Sequence, residues 1–494
     1  MEPLFELKVT TASRGSREVA SHLFRQLKDA ILDHRLPHGS RLPSTRAASR
    51  MFSVSRNTAQ DVYERLALEG LVSSKPGSGT FVSISTPAAK FTPKPAPLVM
   101  PRAGNGFWER SDVKSSIGFW QEQKVGVAAA RVVADLRPGL VDQKLFPHAT
   151  FRQVMARQLR KLETTAAPSH SPQGNQGNYR LRQAIAEHIG LTRAVPCRAD
   201  EVVVTAGAQQ AFDLLARTLV TPGETVVAIE DPGYPPLRAP FAAAGARIVP
   251  VRVDAEGIVV EEIPANAAII CVCPSHQFPL GMPLSPRRRS ALIELARRTG
   301  AAIIEDDYDG EFRYGGSPLE ALRSDASEGH VFYVGSFSKC MLPALRLGFL
   351  VAPTWALPGL IAAKNASDWH CSSPIQMAVG EFIRGGHLAR HIRRVRRTYL
   401  SRRDHLVGLI EGRLGDTVKI IPSFYGMHVS TIVDADIDCE KVSEALEARG
   451  VMMHSLRRYY LGPAERSGFV IGFASVDPGS LEVAVTVLGG ELSR

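Results

Sequence analysis

The chain has 494 residues, 44% of them apolar and 22% charged, which is ordinary for a soluble globular protein and too long for one core, so two or three domains are expected. No apolar run approaches the ~20 residues that span a bilayer, and acids stand at the N-terminus where a secretory signal has basic residues, so a cytoplasmic protein without membrane attachment is expected. A net charge of +10 favours a polyanionic partner, while six scattered cysteines without zinc spacing read as core thiols of a reducing compartment.

Basic character concentrates near the start. Residues 35–83 carry seven Lys or Arg against three acids. Ala20, Leu23, Phe24, Leu27, Ala30 and Ile31 keep the spacing of an amphipathic helix. Pro43 and Ser44 then read as a turn into a short second helix with a hydroxyl cap, and Ser55 caps a third. In that third helix Ala59, Val62, Tyr63 and Leu66 form the buried stripe, leaving Arg56, Asn57, Gln60, Asp61 and Glu64 outward. A polar, basic N-terminal turn is where a recognition helix meets base edges and phosphates in the major groove of double-stranded DNA. The stretch 71–82 reads as two strands around a Gly-rich turn, a wing. Any one of these arginines alone reads as a solvated helix face; the order helix, turn, helix and wing is the specific signal. The domain is bounded at 15–85.

Residues 86–130 are expected to be a linker, rich in Pro, Ala, Ser and Lys at first. Phe107, Trp108, Phe119 and Trp120 in its second half are suited to docking. A tether of roughly 40 residues is long enough to reach a second subunit.

Beyond it, apolar runs at 201–205, 225–229, 248–253, 267–273, 301–305, 331–334 and 347–351 alternate with helical patterns. They are expected to be strands of a largely parallel sheet covered on both faces, an α/β architecture whose ligands collect at the carboxyl ends of strands. Gly207, Ala208 and Gln209 follow one strand and open a helix, so their backbone N–H groups and the positive helix end suit a phosphate; a plain strand-to-helix turn is the blander alternative. Tyr234 follows the next strand and is placed to stack on a ring.

A lysine between two strand-like runs organises this half. Lys339 lies in the loop with Ser336, Ser338 and Arg346, flanked by apolar residues. A lone lysine is usually a solvated surface residue. Here desolvation and the like charge of Arg346 are both expected to lower its proton affinity, and a neutral amine attacks an aldehyde. The two hydroxyls and the guanidinium suit a phosphate. An aldehyde bearing a phosphate is pyridoxal 5'-phosphate (PLP). Upstream, a buried strand ends in Asp306, Asp307 and Tyr308: a carboxylate for the pyridine nitrogen and a phenol for the ring oxygen. Asp306 is assigned to the nitrogen with Asp307 as the alternative, since only one of two adjacent residues faces the ring.

These stretches resemble the MocR/GabR subfamily of GntR transcription regulators, a winged helix-turn-helix fused to a fold-type I PLP-dependent aminotransferase-like large and small domain. The likeness spans nearly all of the chain except the linker. It includes LPSTR at 42–46, VSRNT at 54–58, GSGTFV at 77–82 and a glycine turn at 174–178 leading into a helix. The resemblance implies DNA contacts from Arg46, Ser55, Arg56, Thr58, Gln60 and Gly77, with Arg41 and Ser44 toward phosphate. It also implies a domain-swapped homodimer and an aminotransferase-like domain over 131–494, its small subdomain at roughly 370–494.

Two positions depart from the aminotransferases that the second half resembles. Phe278 stands where they carry the asparagine that holds the PLP ring oxygen, leaving that oxygen to Tyr308 with help from His276. Val470 falls where many place the arginine that grips the substrate carboxylate; Arg466 is nearby in a different phase. Losing both favours binding over turnover, because amino-group transfer requires an oriented substrate carboxylate. The expected function is a PLP-dependent regulator that senses a small amine or amino acid. PLP as the signal itself, or an active aminotransferase with an appended DNA-binding head, are the alternatives. The run of arginines at 390–403 reads as the solvated side of a helix whose buried stripe is Leu388, Ile392, Val395 and Tyr399, or as a second DNA-facing surface.

Overall fold

The computed structural model describes residues 18–75, 77–83, 132–164, 175–315, 320–325 and 329–493. The linker with Phe107, Trp108, Phe119 and Trp120, and Gly174 of the glycine turn, lie outside the described residues. Two compact units divide between residues 104 and 105 and are described separately.

The first unit has three helices, α1 (Glu18–Leu32), α2 (Thr45–Met51) and α3 (Arg56–Leu68), then β1 (Val72–Lys75) and β2 (Gly79–Val82), antiparallel with Val72 opposite Val82. Both expected caps are present. The Ser44 hydroxyl accepts from the N–H of Ala47 and that of Ser55 from the N–H of Thr58, each stabilising its helix by about 1 kcal/mol. Leu27, Ala30, Ala48, Ala59, Val62 and Leu66 close one core, and the Tyr63 hydroxyl donates to the Pro43 carbonyl at 2.8 Å, tying α3 to the turn before α2. With its inner face so used, α3 presents Arg56, Asn57, Gln60, Asp61 and Glu64 to solvent.

In the second unit β3 (Ala134–Asp135) comes first, followed by β4 (Val202–Thr205), β5 (Val226–Asp231), β6 (Arg247–Asp254), β7 (Gly257–Ile258), β8 (Ile269–Val272), β9 (Ala302–Asp307), β10 (Val331–Ser336) and β11 (Gly348–Val351). From β4 to β11 they form one sheet in the order β4-β11-β10-β9-β8-β5-β6-β7. Neighbours from β10 through β6 are parallel, whereas β11 is antiparallel to both β10 and β4. The all-apolar strands are covered on both faces as expected: every residue of β4, β8, β9 and β11 is buried. β6 departs from that expectation. Arg247, Pro250 and Arg252 are exposed, because only the two-residue β7 lies beyond it.

A smaller sheet joins β12 (Lys419–Ile420), β13 (His428–Ile432), β15 (His454–Ser455) and β16 (Phe469–Gly472), while β14 (Val451–Met452) pairs in parallel with β3. The segment at 134–135 thus joins the small lobe, outside the range 370–494 expected for it. After β11 and before β12 in the chain comes a helix of 28 residues, His387–Leu414, whose buried residues include Leu388, Ile392, Val395 and Tyr399. Its arginines divide. Arg396 donates to the carbonyl of Arg313, Arg402 pairs with Asp142 at 2.7 Å and Arg403 donates to Ser423, so these three fasten the lobe; Arg390, Arg393, Arg394 and Arg397 stay exposed.

Candidate functional site

The parallel strands β4, β5, β8, β9 and β10 end on one rim, and antiparallel β11 begins there. Thr205, Asp231, Asp307 and Ser336 close their strands on that rim, and Arg346 enters it just before Gly348.

Lys339 follows β10 between buried Phe337 and Met341. Its Nζ donates to the carbonyl of Gly139 at 2.6 Å. Burial holds its pKa below the ordinary lysine value, while Asp309 and Asp306 act in the opposite sense. The direction is the expected one, but Arg346 is not among its causes. That guanidinium is directed to the carbonyl of Ala206, at 3.1 Å.

The two adjacent aspartates have different surroundings. Asp307 accepts from Nε of Arg193 at 2.6 Å and from the hydroxyl of Tyr333 at 2.5 Å, and Arg193 also donates to Ser275. Asp306 is equally buried, yet its Oδ1 has no hydrogen-bond partner among the described residues. Burial, then the nearby carboxylates of Asp307 and Asp309, push Asp306 up to about 8. A protonatable carboxyl with one free oxygen at a strand end has the chemistry to share a proton with a ring nitrogen.

Tyr308 lies beside it. Its hydroxyl is 2.7 Å from Nδ1 of His276, which is also 3.0 Å from Asp309, so the half-buried tyrosine is joined to a buried histidine and aspartate. Phe278 occupies the middle of an aromatic wall, edge-on to Tyr234, Tyr308, His428 and Tyr459 at 5.0 to 5.8 Å between ring centroids. Tyr234 stands at the N-terminus of the helix Pro235–Ala243 and keeps 37% of its surface exposed. Val470 is fully buried in the same apolar cluster, so no charge stands at the position where an arginine is otherwise found.

At the end of β4, Gly207 caps the helix Ala208–Leu219 with φ 82° and no side-chain cap, so among the described residues no hydroxyl or carboxylate caps the first-turn N–H groups. A Cβ at Gly207 would lie 3.2 Å from the Arg346 guanidinium, so glycine permits both the left-handed turn and that approach. The Gln209 amide donates to the carbonyl of Pro236, so only its backbone N–H is turned to the helix end. The Ser336 hydroxyl accepts from the N–H of Ser338 at 3.1 Å, and in the sheet Gly348 is opposite both Ser336 and Thr205. The helix end, the Arg346 guanidinium and Ser336 therefore stand together at this rim.

In the N-terminal unit Arg46, Ser55, Arg56 and Gln60 are exposed, and Gly77 sits at the wing turn with φ 77°. Ser55 Oγ and Thr58 Oγ1 are 2.7 Å apart, and Gln60 donates to Glu64, so the capping turn is organised before any contact is made.

Sequence reasoning did not assign Gly139, Arg193 or Asp309 to the site, and no local pattern marks them. His276, Asp309 and His428 also lie near enough to be weighed as cation ligands. His428 Nε2 meets the Pro279 carbonyl at 2.8 Å and His276 Nδ1 meets Tyr308 and Asp309, while His276 Nε2 is buried without a hydrogen-bond partner among the described residues.

Residues 19–82 match the family described as bacterial regulatory proteins, gntR family, and residues 143–488 match aminotransferase class I and II. The chain is 32% identical to the probable rhizopine catabolism regulatory protein MocR of Rhizobium meliloti, over 94% of this chain and 92% of that one. The chain belongs to the MocR/GabR subfamily of GntR transcription regulators. Another relative of this MocR-type protein is the pyridoxine biosynthesis transcriptional regulator PdxR of Corynebacterium glutamicum, 29% identical over 99% of both chains. Among solved structures, the α-aminoadipate aminotransferase LysN of Thermus thermophilus, complexed with N-(5'-phosphopyridoxyl)-L-leucine, aligns with a TM-score of 0.68 and 25% identity, covering 78% of this chain and 96% of that one. The MocR-type chain is therefore a GntR-type regulator with an aminotransferase-like domain of fold type I, and no helix among its described residues is long and apolar enough to cross a membrane.

Proposed function

We propose that this regulator binds PLP at the rim of the large sheet, binds operator DNA through α3 and the wing, and changes its DNA binding when a small amine or amino acid engages the cofactor. The observation that carries the reading is the unpartnered, buried Oδ1 of Asp306. A buried oxygen left bare beside a saturated neighbour is costly unless a ligand completes it.

The residues fit the cofactor in the roles expected of them. Asp306 would take the pyridine nitrogen and Tyr308 the ring oxygen. Tyr234 would stack, and Gly207, Ala208, Gln209, Ser336, Ser338 and Arg346 would hold the phosphate. Lys339, with its lowered proton affinity, would bond the aldehyde. When bound, PLP supplies an aldehyde that a ligand amine can take over from the lysine, and a ring that draws electrons from that bond. The Asp309 and His276 chain orients the Tyr308 hydroxyl, a task for which Phe278 has no polar atom. Buried Val470 and Phe278 give no grip on a substrate carboxylate, so ligand exchange at the lysine without sustained turnover fits this wall. Such an exchange biases DNA binding to the extent that the liganded and unliganded forms differ in affinity for the operator. A domain-swapped homodimer belongs to the same reading.

The test is a visible absorption spectrum of the full chain with PLP, wild type against Lys339→Ala, followed by a panel of amines. A band lost in the variant and shifted by one amine, without continuous turnover, is the expected result. Absence of the band in wild type would remove the cofactor. A second reading, in which PLP itself is the signal, is favoured by the likeness to PdxR over 99% of both chains. It requires PLP alone to change operator affinity.

A further inference from the structure

We infer that Lys364 is a positioning residue for the phosphate end of the site, holding the turn at Ala206 and Gly207 in place through Gln210. The inference rests on the PLP reading above.

Lys364 is fully buried, on the helix Leu357–Ser367. A buried ammonium is retained only when its donors are met. Its Nζ meets Oδ1 of Asp368 at 2.7 Å, Oε1 of Gln210 at 3.1 Å and Sγ of Cys371 at 3.8 Å, one acceptor for each N–H. With all three hydrogens used, it is not a second amine for the aldehyde.

Gln210 connects it to the phosphate end. The same Oε1 accepts from the backbone N–H of Ala206 at 2.8 Å, while the Ala206 carbonyl accepts from Arg346 at 3.1 Å. Residue 206 is thus clamped from both sides, by Lys364 through an amide and by Arg346 directly. Gly207 and the open first turn of Ala208–Leu219 come next. Without the ammonium, Gln210 Oε1 keeps only the Ala206 N–H, with its amide nitrogen at 3.5 Å from the Ser367 hydroxyl, so the turn is held less firmly and the N–H groups that converge on a phosphate lose their aim. The recognised chemistry is a phosphate monoester, and the aromatic ring and the aldehyde of the ligand do not enter the argument.

The experiment compares PLP with pyridoxal, which lacks the phosphate, by visible titration of the full-length protein, and follows the thermal midpoint of the cofactor-free protein with inorganic phosphate. In Lys364→Met, PLP affinity is expected to fall about tenfold, pyridoxal affinity to stay put, and stabilisation by inorganic phosphate to disappear. Gln210→Leu, which leaves Lys364 and Asp368 paired, is expected to give the same selective loss; should Lys364→Met not fold, it decides alone. Equal loss for PLP and pyridoxal, or no loss, overturns the inference. If wild type shows no band with either compound, the cofactor reading fails, and the response to inorganic phosphate settles the role of Lys364 by itself.

Discussion

Arg193 and Asp307 form a buried ion pair, Nε to Oδ2 at 2.6 Å, joining the end of the helix Tyr179–Arg193 to a strand 114 positions further on. Because Asp307 is occupied there, Asp306 is the aspartate left with a bare oxygen. The two should respond differently to substitution. Asp307→Ala removes the carboxylate that neutralises this buried guanidinium, leaving it Ser275 but no counter-charge from residue 307, and should cost about 3 to 5 kcal/mol of stability, seen in thermal unfolding. Asp306→Asn should leave folding intact while weakening PLP at least about tenfold by visible titration. Unchanged PLP affinity in Asp306→Asn would assign the nitrogen to another residue.

Asp306 also predicts a pH dependence of the cofactor-free protein. Its carboxyl, near 4 in an unfolded chain, is raised to about 8. The folded state therefore keeps a proton that the unfolded chain releases. The associated stability is fully present below pH ~4 and is lost as pH rises toward about 8. The thermal midpoint should fall between pH 6 and pH 8.5, and the fall should be shallower in Asp306→Asn. It should not vanish, since burial pushes Glu230 up to about 8 as well.

Asp309 opposes the effect of burial on Lys339. Neutralising it as Asp309→Asn removes an attraction for the ammonium, so the lysine pKa should drop further. Each pKa unit raises the neutral fraction about tenfold well below the pKa, so attachment of PLP near pH 7 should quicken by roughly threefold to tenfold. Stopped-flow absorbance against pH gives the answer; an unchanged pH profile would mean that Asp309 acts on Tyr308 and His276 alone.

In the head, Arg56 and Ser55 should separate contact from folding. Arg56→Ala is expected to weaken operator binding and reduce the salt slope by about 1, with thermal stability retained. Ser55→Ala removes the cap on Thr58 and should destabilise the head by about 1 kcal/mol in addition to any effect on DNA. Salt-dependent DNA titrations beside thermal melts distinguish the two.

Where neighbours along the chain determine structure, the sequence was readable. The caps Ser44 and Ser55, the stripe Ala59, Val62, Tyr63 and Leu66, and the covered strands are consequences of local spacing and of apolar runs. β6 was read less well, because exposure at a sheet margin depends on what lies beyond it. The choice between Asp306 and Asp307 was not local at all: all of β9 is buried, so alternation along it cannot separate adjacent residues, and the deciding partner is on another helix. Spacing along the helix predicts a solvated or DNA-facing run of arginines, but Arg396, Arg402 and Arg403 find carbonyls and a carboxylate that only the folded lobe brings near.

Strand β11 runs back against β10, so Lys339 and Arg346 stand at one rim on the same short return of chain. Surface loops ordinarily absorb an inserted residue at small cost. This one has no such freedom: an added residue would displace the amine and the guanidinium relative to each other, while Asp306 and the helix end at Gly207 stayed fixed. On the PLP reading the length of residues 337–347 is as much a part of the binding specification as the identity of any side chain in it, and a one-residue insertion there should weaken PLP in a visible titration while leaving the fold in place.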